Sequence, residues 1–348
     1  MNAPSSCAPS TGPGRLPRLT RARAPLTHAV QVINERGERE DVHIPAERPL
    51  TVYVDKRELV TLMTLGAEPE LLVLGYLRNQ RLVDSVFDIE SITVDWEVHS
   101  AAVRTHHGIA CIEERTASKV VTTGCGQGSV FGGLMDEVDR IALPEATLSQ
   151  ADLYGIVNAI RLKESTYKSA GSVHGCALFR GAELLTFVED VGRHNAIDTI
   201  AGWMWMNGEA AVTDPARRAV LGDAPVVMAT AEPVTDTEPA NAVIPEHTAA
   251  HTPMQGADKV FYTTGRLTSE MVIKSAQMGV PIVVSRSGMT QMGHSVAQQL
   301  GLCAIGRATN RRFVCYSGAE RLILQPELAQ APAMAPQEAG EPTAAAPR

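Results

Sequence analysis

Aromatic residues are scarce in this sequence, and long apolar runs are missing. Phe, Trp and Tyr make up 4% of the 348 residues. That is too few for the successive stacking platforms that bind single-stranded nucleic acid. No stretch of about 18 apolar residues occurs, so no membrane-spanning helix is expected. Excess positive charge is also absent. The formal net charge is -8, the reverse of what a duplex-binding surface carries, so no nucleic-acid partner is expected. Arg15, Arg18, Arg21 and Arg23 crowd the N-terminus with no apolar core behind them, which argues against a secretory signal and for a cytoplasmic protein. The motifs HExxH, GxxxxGKS/T and GxGxxG do not occur, and with them go the sequence signs of zinc proteases, P-loops and dinucleotide-binding turns. His174-Gly175-Cys176 is not an HxE motif and no PCxxC follows it, so a zinc deaminase is not expected. His106, His107 and Cys111 are too irregularly placed for a metal site, and no metal is expected. None of the six cysteines forms a CxxC pair. A chain this long with a good core does not need disulfides, so the bland expectation is free, mostly buried thiols.

The hydrophobic fraction of 44% supports a sizeable core, in one large domain or two ordinary ones. Residues 1–46 read as a disordered or extended tail, the first 25 rich in Pro, Ser, Arg and Gly. Residues 47–146 form a β-rich region, with order starting near Leu50. Leu50, Val52 and Val54 alternate with Thr51 and Tyr53 as a strand does. Pro69 opens a helix, and Ile89–Trp96 and Val120–Thr123 read as strands. Residues 147–325 read as an α/β domain. Ser149 with Asp152 opens a helix, Gly181-Ala182 turns a hairpin between Ala177–Phe179 and Leu184–Val188, and a helix covers Asn195–Trp205. A Pro-, Ala- and Thr-rich insertion spans about 207–257, with a possible strand at Val226–Ala229. Strands at Val260–Thr263, Pro281–Ser285, Leu302–Ile305 and Phe313–Tyr316 then alternate with helices that end at Gly279 and Gly301. That alternation predicts an α/β layer with parallel strands, and ligand sites in such layers gather at the strand C-terminal ends. Residues 326–348 read as a second disordered tail.

Four segments can carry chemistry. Cys125 lies in Gly124-Cys125-Gly126-Gln127-Gly128. The glycines leave the thiol open and let backbone N–H groups face it, favouring thiolate; the alternative is a flexible turn with an incidental cysteine. In Glu189-Asp190-Val191-Gly192-Arg193-His194-Asn195 a strand meets a helix N-terminus, whose N–H groups and partial charge suit an anion. Arg193, His194 and Asn195 add donors, and Asp190 is expected to orient Arg193 or His194. Gly265 and Arg266 repeat that arrangement, whereas Glu270 and Lys274 read as a surface pair of small worth. Arg307-Ala308-Thr309-Asn310-Arg311-Arg312 forms a basic loop, and its three arginines suit phosphates or simply a solvated turn.

These segments together resemble the formate dehydrogenase accessory sulfurtransferase (FdhD) family. The resemblance rests on Glu47-Arg48-Pro49-Leu50-Thr51-Val52, Leu74-Gly75-Tyr76-Leu77, Gly124-Cys125-Gly126, His174-Gly175-Cys176-Ala177-Leu178-Phe179 and Glu189-Asp190-Val191-Gly192-Arg193-His194-Asn195-Ala196. Thr264-Gly265-Arg266, Glu270-Met271, Lys274, Gly279-Val280-Pro281-Ile282 and Gly301 complete it, over about 47–206 and 258–317. It implies a cytidine-deaminase-like three-layer α/β domain with a smaller N-terminal β-rich region, in a homodimer. It implies a sulfurtransferase that takes persulfide sulfur from a cysteine desulfurase on Cys125. The sulfur then passes to molybdenum bis(molybdopterin guanine dinucleotide), bound transiently, before that cofactor enters formate dehydrogenase. The stretch Arg307–Arg312 aligns with the family's cofactor-binding stretch, and guanine-dinucleotide phosphates would also account for Arg193, His194, Asn195, Gly265 and Arg266. The alternative is a molybdenum cofactor-binding chaperone without sulfur transfer. Many relatives carry CxxC at the cysteine loop; here Gly128 holds the second place. That leaves one thiol, enough for a persulfide but not for a resolving disulfide.

Overall fold

In the computed structural model the described residues are 16–109, 112, 138–163, 165–213 and 256–329, with side chains described to 208 in the helix that ends at 213. Cys125, the expected strand Val120–Thr123, the expected strand Val226–Ala229 and most of the 207–257 stretch lie outside them.

Strands begin earlier than the expected start near Leu50. β1 is Arg18–Leu19, and β2 (Thr27–Ile33) and β3 (Arg39–Pro45) form an antiparallel hairpin. Its side chains are mostly exposed and none is fully buried. β4 (Arg48–Val54), β5 (Arg57–Thr64), β6 (Ile89–Asp95) and β7 (Ser100–Thr105) join β1 in a five-stranded sheet of order β1-β6-β7-β4-β5. Leu50, Val52 and Val54 are buried on one face, as their alternation predicts. Against that face lies α1 (Pro69–Asn79), with Pro69 in its first turn where the missing N–H costs nothing.

The second sheet follows β8 (Leu148–Ser149), α2 (Gln150–Leu162) and α3 (Thr166–Ala170). Ser149 caps α2 by accepting from the Asp152 N–H at 3.0 Å. β9 (His174–Arg180) and β10 (Glu183–Asp190) make the expected hairpin, and α4 (Arg193–Thr213) leads away from it. β11 (Val260–Thr263), α5 (Ser269–Gln277), β12 (Ile282–Ser285), α6 (Gln291–Leu300), β13 (Cys303–Thr309) and β14 (Arg312–Ser317) complete the layer, and β15 (Leu322–Ile323) pairs with β8. The sheet order is β10-β9-β11-β12-β13-β14, with β11, β12 and β13 parallel and the outer pairings antiparallel. β11 and β12 are buried at every position, because α4, α5 and α6 cover one face and α2 the other.

The two halves meet through α1 and α4. A Cβ at Gly75 would collide with the Asp198 carbonyl, and one at Gly202 with the Leu71 carbonyl. The two helix backbones therefore lie in direct contact, which only glycine permits. The architecture is a mixed α/β fold of several sheets. Among the described residues no helix is long and apolar enough to cross a membrane.

Candidate functional site

The parallel strands β11, β12 and β13 end together, and the start of β9 and the end of β10 share that end through antiparallel register. His174 lies opposite Asp190, and Cys176 opposite Thr263. A line of hydrogen bonds runs along this rim. The Gly175 N–H donates to Thr264 Oγ1 at 3.0 Å, and Ser287 Oγ donates to the Thr264 carbonyl at 2.9 Å. The Arg307 N–H then donates to the Ser287 carbonyl at 2.8 Å. Beneath it Ser285 Oγ donates to the Gly265 carbonyl at 2.7 Å. The rim is thus rigid backbone, on which side chains can be held in fixed places.

Arg193 opens α4 over this rim. A Cβ built on Gly265 would stand 3.1 Å from Arg193 Cδ, so the missing side chain at 265 makes the space in which the arginine stem lies. Arg266 is exposed beside it. The half-buried imidazole of His174 feels both cations: burial first, then the charges of Arg193 and Arg266, push its pKa below the ordinary histidine value. Two arginines, a neutral imidazole and a helix N-terminus share one end of the sheet. That combination suits a multiply charged anion. His174 opens one of the segments that carry the family resemblance but was not expected in the site, and the antiparallel register of β9 brings it here.

Other expected residues stand differently. His194 turns inward rather than toward the rim, with its side chain 12% exposed and its Nε2 3.2 Å from Glu270 Oε2, near but not in line for a hydrogen bond. Burial pushes its pKa down to about 3, helped by Lys274, Arg193 and His174 and opposed by Glu270. It is a neutral ring at physiological pH. Asn195 is buried, and its Nδ2 donates to the Met63 carbonyl at 2.6 Å and to Asp190 Oδ1 at 2.8 Å. Asp190 is held by partners that the sequence did not suggest. Its carboxylate accepts from Thr64 Oγ1 at 2.5 Å, Leu65 N at 3.0 Å, Gly192 N at 2.9 Å and Asn195. It therefore ties the end of β5 to the start of α4, and nothing in the sequence pairs residues so far apart in the chain.

Glu270 and Lys274 are not a surface pair. Lys274 Nζ lies 2.8 Å from Asp198 Oδ2 and 3.8 Å from Glu270 Oε1, and all three side chains are buried. Asn79 Nδ2 donates to Asp198 Oδ1 at 2.7 Å. This network joins α1, α4 and α5 behind the rim. The spacing of Glu270 and Lys274 was legible, but the third partner on another helix was not.

The basic stretch is no simple loop. Gly306–Thr309 continue β13, and Arg312 pairs with Thr309 across a tight turn. Arg307 and Asn310 have φ of +53° and +51°, where the ladder slips and the chain turns. Ala308 is buried in the core under α2. Tyr154 Oη on α2 donates to the Arg311 carbonyl at 3.0 Å. The turn carrying Thr309, Asn310, Arg311 and Arg312 is thus tied toward α2, while Arg193 stands on the α4 side. The Arg307 backbone is bonded into the rim.

A family model described as the FdhD/NarQ family matches residues 45–216 and 248–323. The chain belongs to the FdhD/NarQ family. The matched residues include the whole rim and the segment containing Cys125. A sulfur carrier protein FdhD from Bacillus subtilis is 26% identical over 291 residues, 83% of this chain and 94% of the relative. One from Listeria innocua is 24% identical over 282 residues, 80% of this chain and 91% of the relative. The crystal structure of a protein assigned as a formate dehydrogenase accessory protein from Desulfotalea psychrophila shares the fold. Its TM-score is 0.58 at 21% identity, covering 86% of this chain and 100% of that one.

Proposed function

We propose that this FdhD/NarQ family chain is a sulfur carrier required for formate dehydrogenase activity. Cys125 takes sulfane sulfur from a cysteine desulfurase as a persulfide and passes it to the molybdenum bis(molybdopterin guanine dinucleotide) that formate dehydrogenase will receive. The dinucleotide is a substrate here, held transiently, and the protein acts in the cytoplasm as a homodimer. The six-stranded layer is read as cytidine-deaminase-like, a reading supported by its leading hairpin, its parallel β11-β12-β13 and its helices on both faces.

The observation that carries the reading is the rim where Arg193, Arg266 and His174 meet on one end of the sheet. Guanidinium groups bind phosphate bidentately, and a neutral imidazole can accept from or donate to a neighbouring ring or ribose. The relatives named as sulfur carrier proteins support sulfur as the cargo. Gly124 and Gly126 around Cys125 suit a thiol that must reach both a donor protein and a bound substrate.

The test is mass spectrometry of the full chain after incubation with a cysteine desulfurase and cysteine. A gain of about 32 Da on Cys125, removed by reductant, is expected. Cys125→Ala is expected to bind a guanine dinucleotide as before but not to support formate dehydrogenase. If Cys125→Ala supports the enzyme while Arg193→Ala does not, the chain is a cofactor-binding chaperone and the sulfur step is wrong.

A further inference from the structure

β13 and β14 each carry one cysteine. Ile305 pairs with Cys315 across the ladder, and Cys303, two residues before Ile305, shares its face. Cys303 and Ile305 lie in the core beneath α2, and Cys315 packs against it. The two thiols are free and adjoin each other across the ladder. Cys303 is wholly buried, while Cys315 is half-buried and open to solvent. In its thiol form Cys315 donates to the Ser317 carbonyl at 3.3 Å.

We propose that Cys303 and Cys315 form a two-electron oxidation site, in which a hydroperoxide oxidises Cys315 and Cys303 closes a cross-strand disulfide. The Cys315 thiolate attacks the peroxide oxygen; an S–O bond forms, the O–O bond breaks, and water or an alcohol leaves. The Cys303 sulfur then attacks the sulfenic sulfur. The S–S bond forms, the S–O bond breaks, and hydroxide leaves as water with the Cys303 proton. Two thiols thus give two electrons to one peroxide.

The roles follow from position. Of the pair, Cys315 is the one that can meet a solute, and Cys303 stands behind it to resolve the product. The neighbouring Cys303 thiol holds Cys315 below the ordinary thiol range, against burial and the charge of Glu320. Cys303 is pushed up by the neighbouring Cys315 and by burial, so it stays a thiol until it attacks. Diagonal neighbours on antiparallel strands sit about 7–8 Å apart at Cα, whereas a disulfide spans about 4.4–6.8 Å. Closure must therefore draw the strands together. β14 can follow, because it is the edge strand and is paired on one side only. Its first residue is Arg312, so oxidation shifts the turn that carries Arg311 and Arg312. The site is separate from sulfur carriage at Cys125 and does not rest on it.

The test is titration of the fully reduced full chain with hydrogen peroxide, followed by alkylation, non-reducing digestion and mass spectrometry. A peptide linking Cys303 to Cys315, reversed by reductant, is expected at peroxide levels that leave the buried Cys176 unmodified. In Cys303→Ala the expected product is a Cys315 sulfenic acid trapped by dimedone, which the wild type should accumulate at least several-fold less. A linkage from Cys315 to Cys125 or Cys111 instead, or Cys315 oxidised no faster than Cys176, overturns the proposal. So does equal dimedone labelling of wild type and Cys303→Ala. Cys315→Ser, folded to the same melting temperature, should give no linked peptide; a Cys303 disulfide in that variant would equally end it.

Discussion

Lys274 Nζ and Asp198 Oδ2 stand 2.8 Å apart with side chains 2% and 3% exposed. The pair fastens α5 to α4 directly behind the rim, and Asn79 on α1 holds the other carboxylate oxygen. Burial first, and the charge of Glu270 after it, push Asp198 upward, while Lys274 and Asn79 oppose them. Removing one charge leaves the other buried without its partner. Lys274→Met is expected to cost about 3–5 kcal/mol in chemical unfolding, and adding Asp198→Asn should restore part of it. A loss under about 1 kcal/mol would mean that water reaches the pair, as at a surface salt bridge.

Close contact of α1 with α4 makes a second prediction. A methyl group at Gly75 or Gly202 meets backbone on the opposite helix, which cannot swing aside as a side chain can. Gly75→Ala and Gly202→Ala should each destabilise by about 3 kcal/mol, at or beyond the upper end of overpacking costs. Gly288→Ala, whose added carbon meets only Tyr316 Oη at 3.8 Å, is the matched control and should unfold like the wild type.

His194 gives a pH dependence with a definite sign. The unfolded imidazole binds its proton near 6.5, while the folded one waits until about 3. Between those values the unfolded state holds more protons, so stability present above 6.5 drains away as the pH falls. The slope from this one group is at most about 1.4 kcal/mol per pH unit. His174 is lowered in the same direction and adds to it. His194→Gln should flatten the fall between pH 6.5 and 4.5, measured by urea midpoints. An unchanged slope would show that His194 titrates normally in the folded chain.

Local signals in the sequence marked most elements of the second sheet. Val260–Thr263 matches its strand at both ends, and the last helix, Gln291–Leu300, stops at Gly301 as expected, because each is a short apolar or amphipathic run bounded by turn residues. The β2–β3 hairpin escaped notice because its side chains are mostly exposed. For the site, Arg193, Gly265 and Arg266 were legible from strand-to-helix turns, since such turns are written in adjacent residues. The inward turn of His194 and Asn195 was not, because it depends on Met63 and Glu270 from other elements. Asp190 with Thr64, and Lys274 with Asp198, are likewise pairings that only the packed chain creates. Ala308 in the basic stretch is buried because β13 runs on through it, a consequence of strand length that composition hides.

The clamp at Asp190 offers a test of how the two halves are joined at the rim. Thr64 Oγ1 donates to Asp190 Oδ2 inside the protein. Thr64→Val keeps the shape and removes the donor, so the carboxylate loses one of its buried partners. The expected cost is about 1–3 kcal/mol. Anion binding should weaken as well, because Arg193 follows Asp190 by three residues. A destabilised Thr64→Val with undiminished anion binding would separate the clamp from the site.

Arg193 and Arg266 should matter more to binding than the turn arginines do. Both act on His174 across the rim, whereas the Arg311 backbone is held toward α2 by Tyr154. A charge-assisted hydrogen bond contributes about 1.5–3 kcal/mol, so Arg193→Ala or Arg266→Ala should weaken guanine nucleotide diphosphate binding by roughly 10- to 100-fold. Binding should also fall as salt rises, most steeply for the wild type, since each lost arginine removes a screened attraction. His174 should report the same event: an anion that neutralises the two arginines lets its pKa rise toward the ordinary histidine value, so binding is coupled to proton uptake. Calorimetry in buffers of different ionisation enthalpy measures that uptake, and His174→Gln should abolish it. If Arg311→Ala and Arg312→Ala weaken binding more than Arg193→Ala, the phosphates sit on the hairpin turn and the rim is not their site.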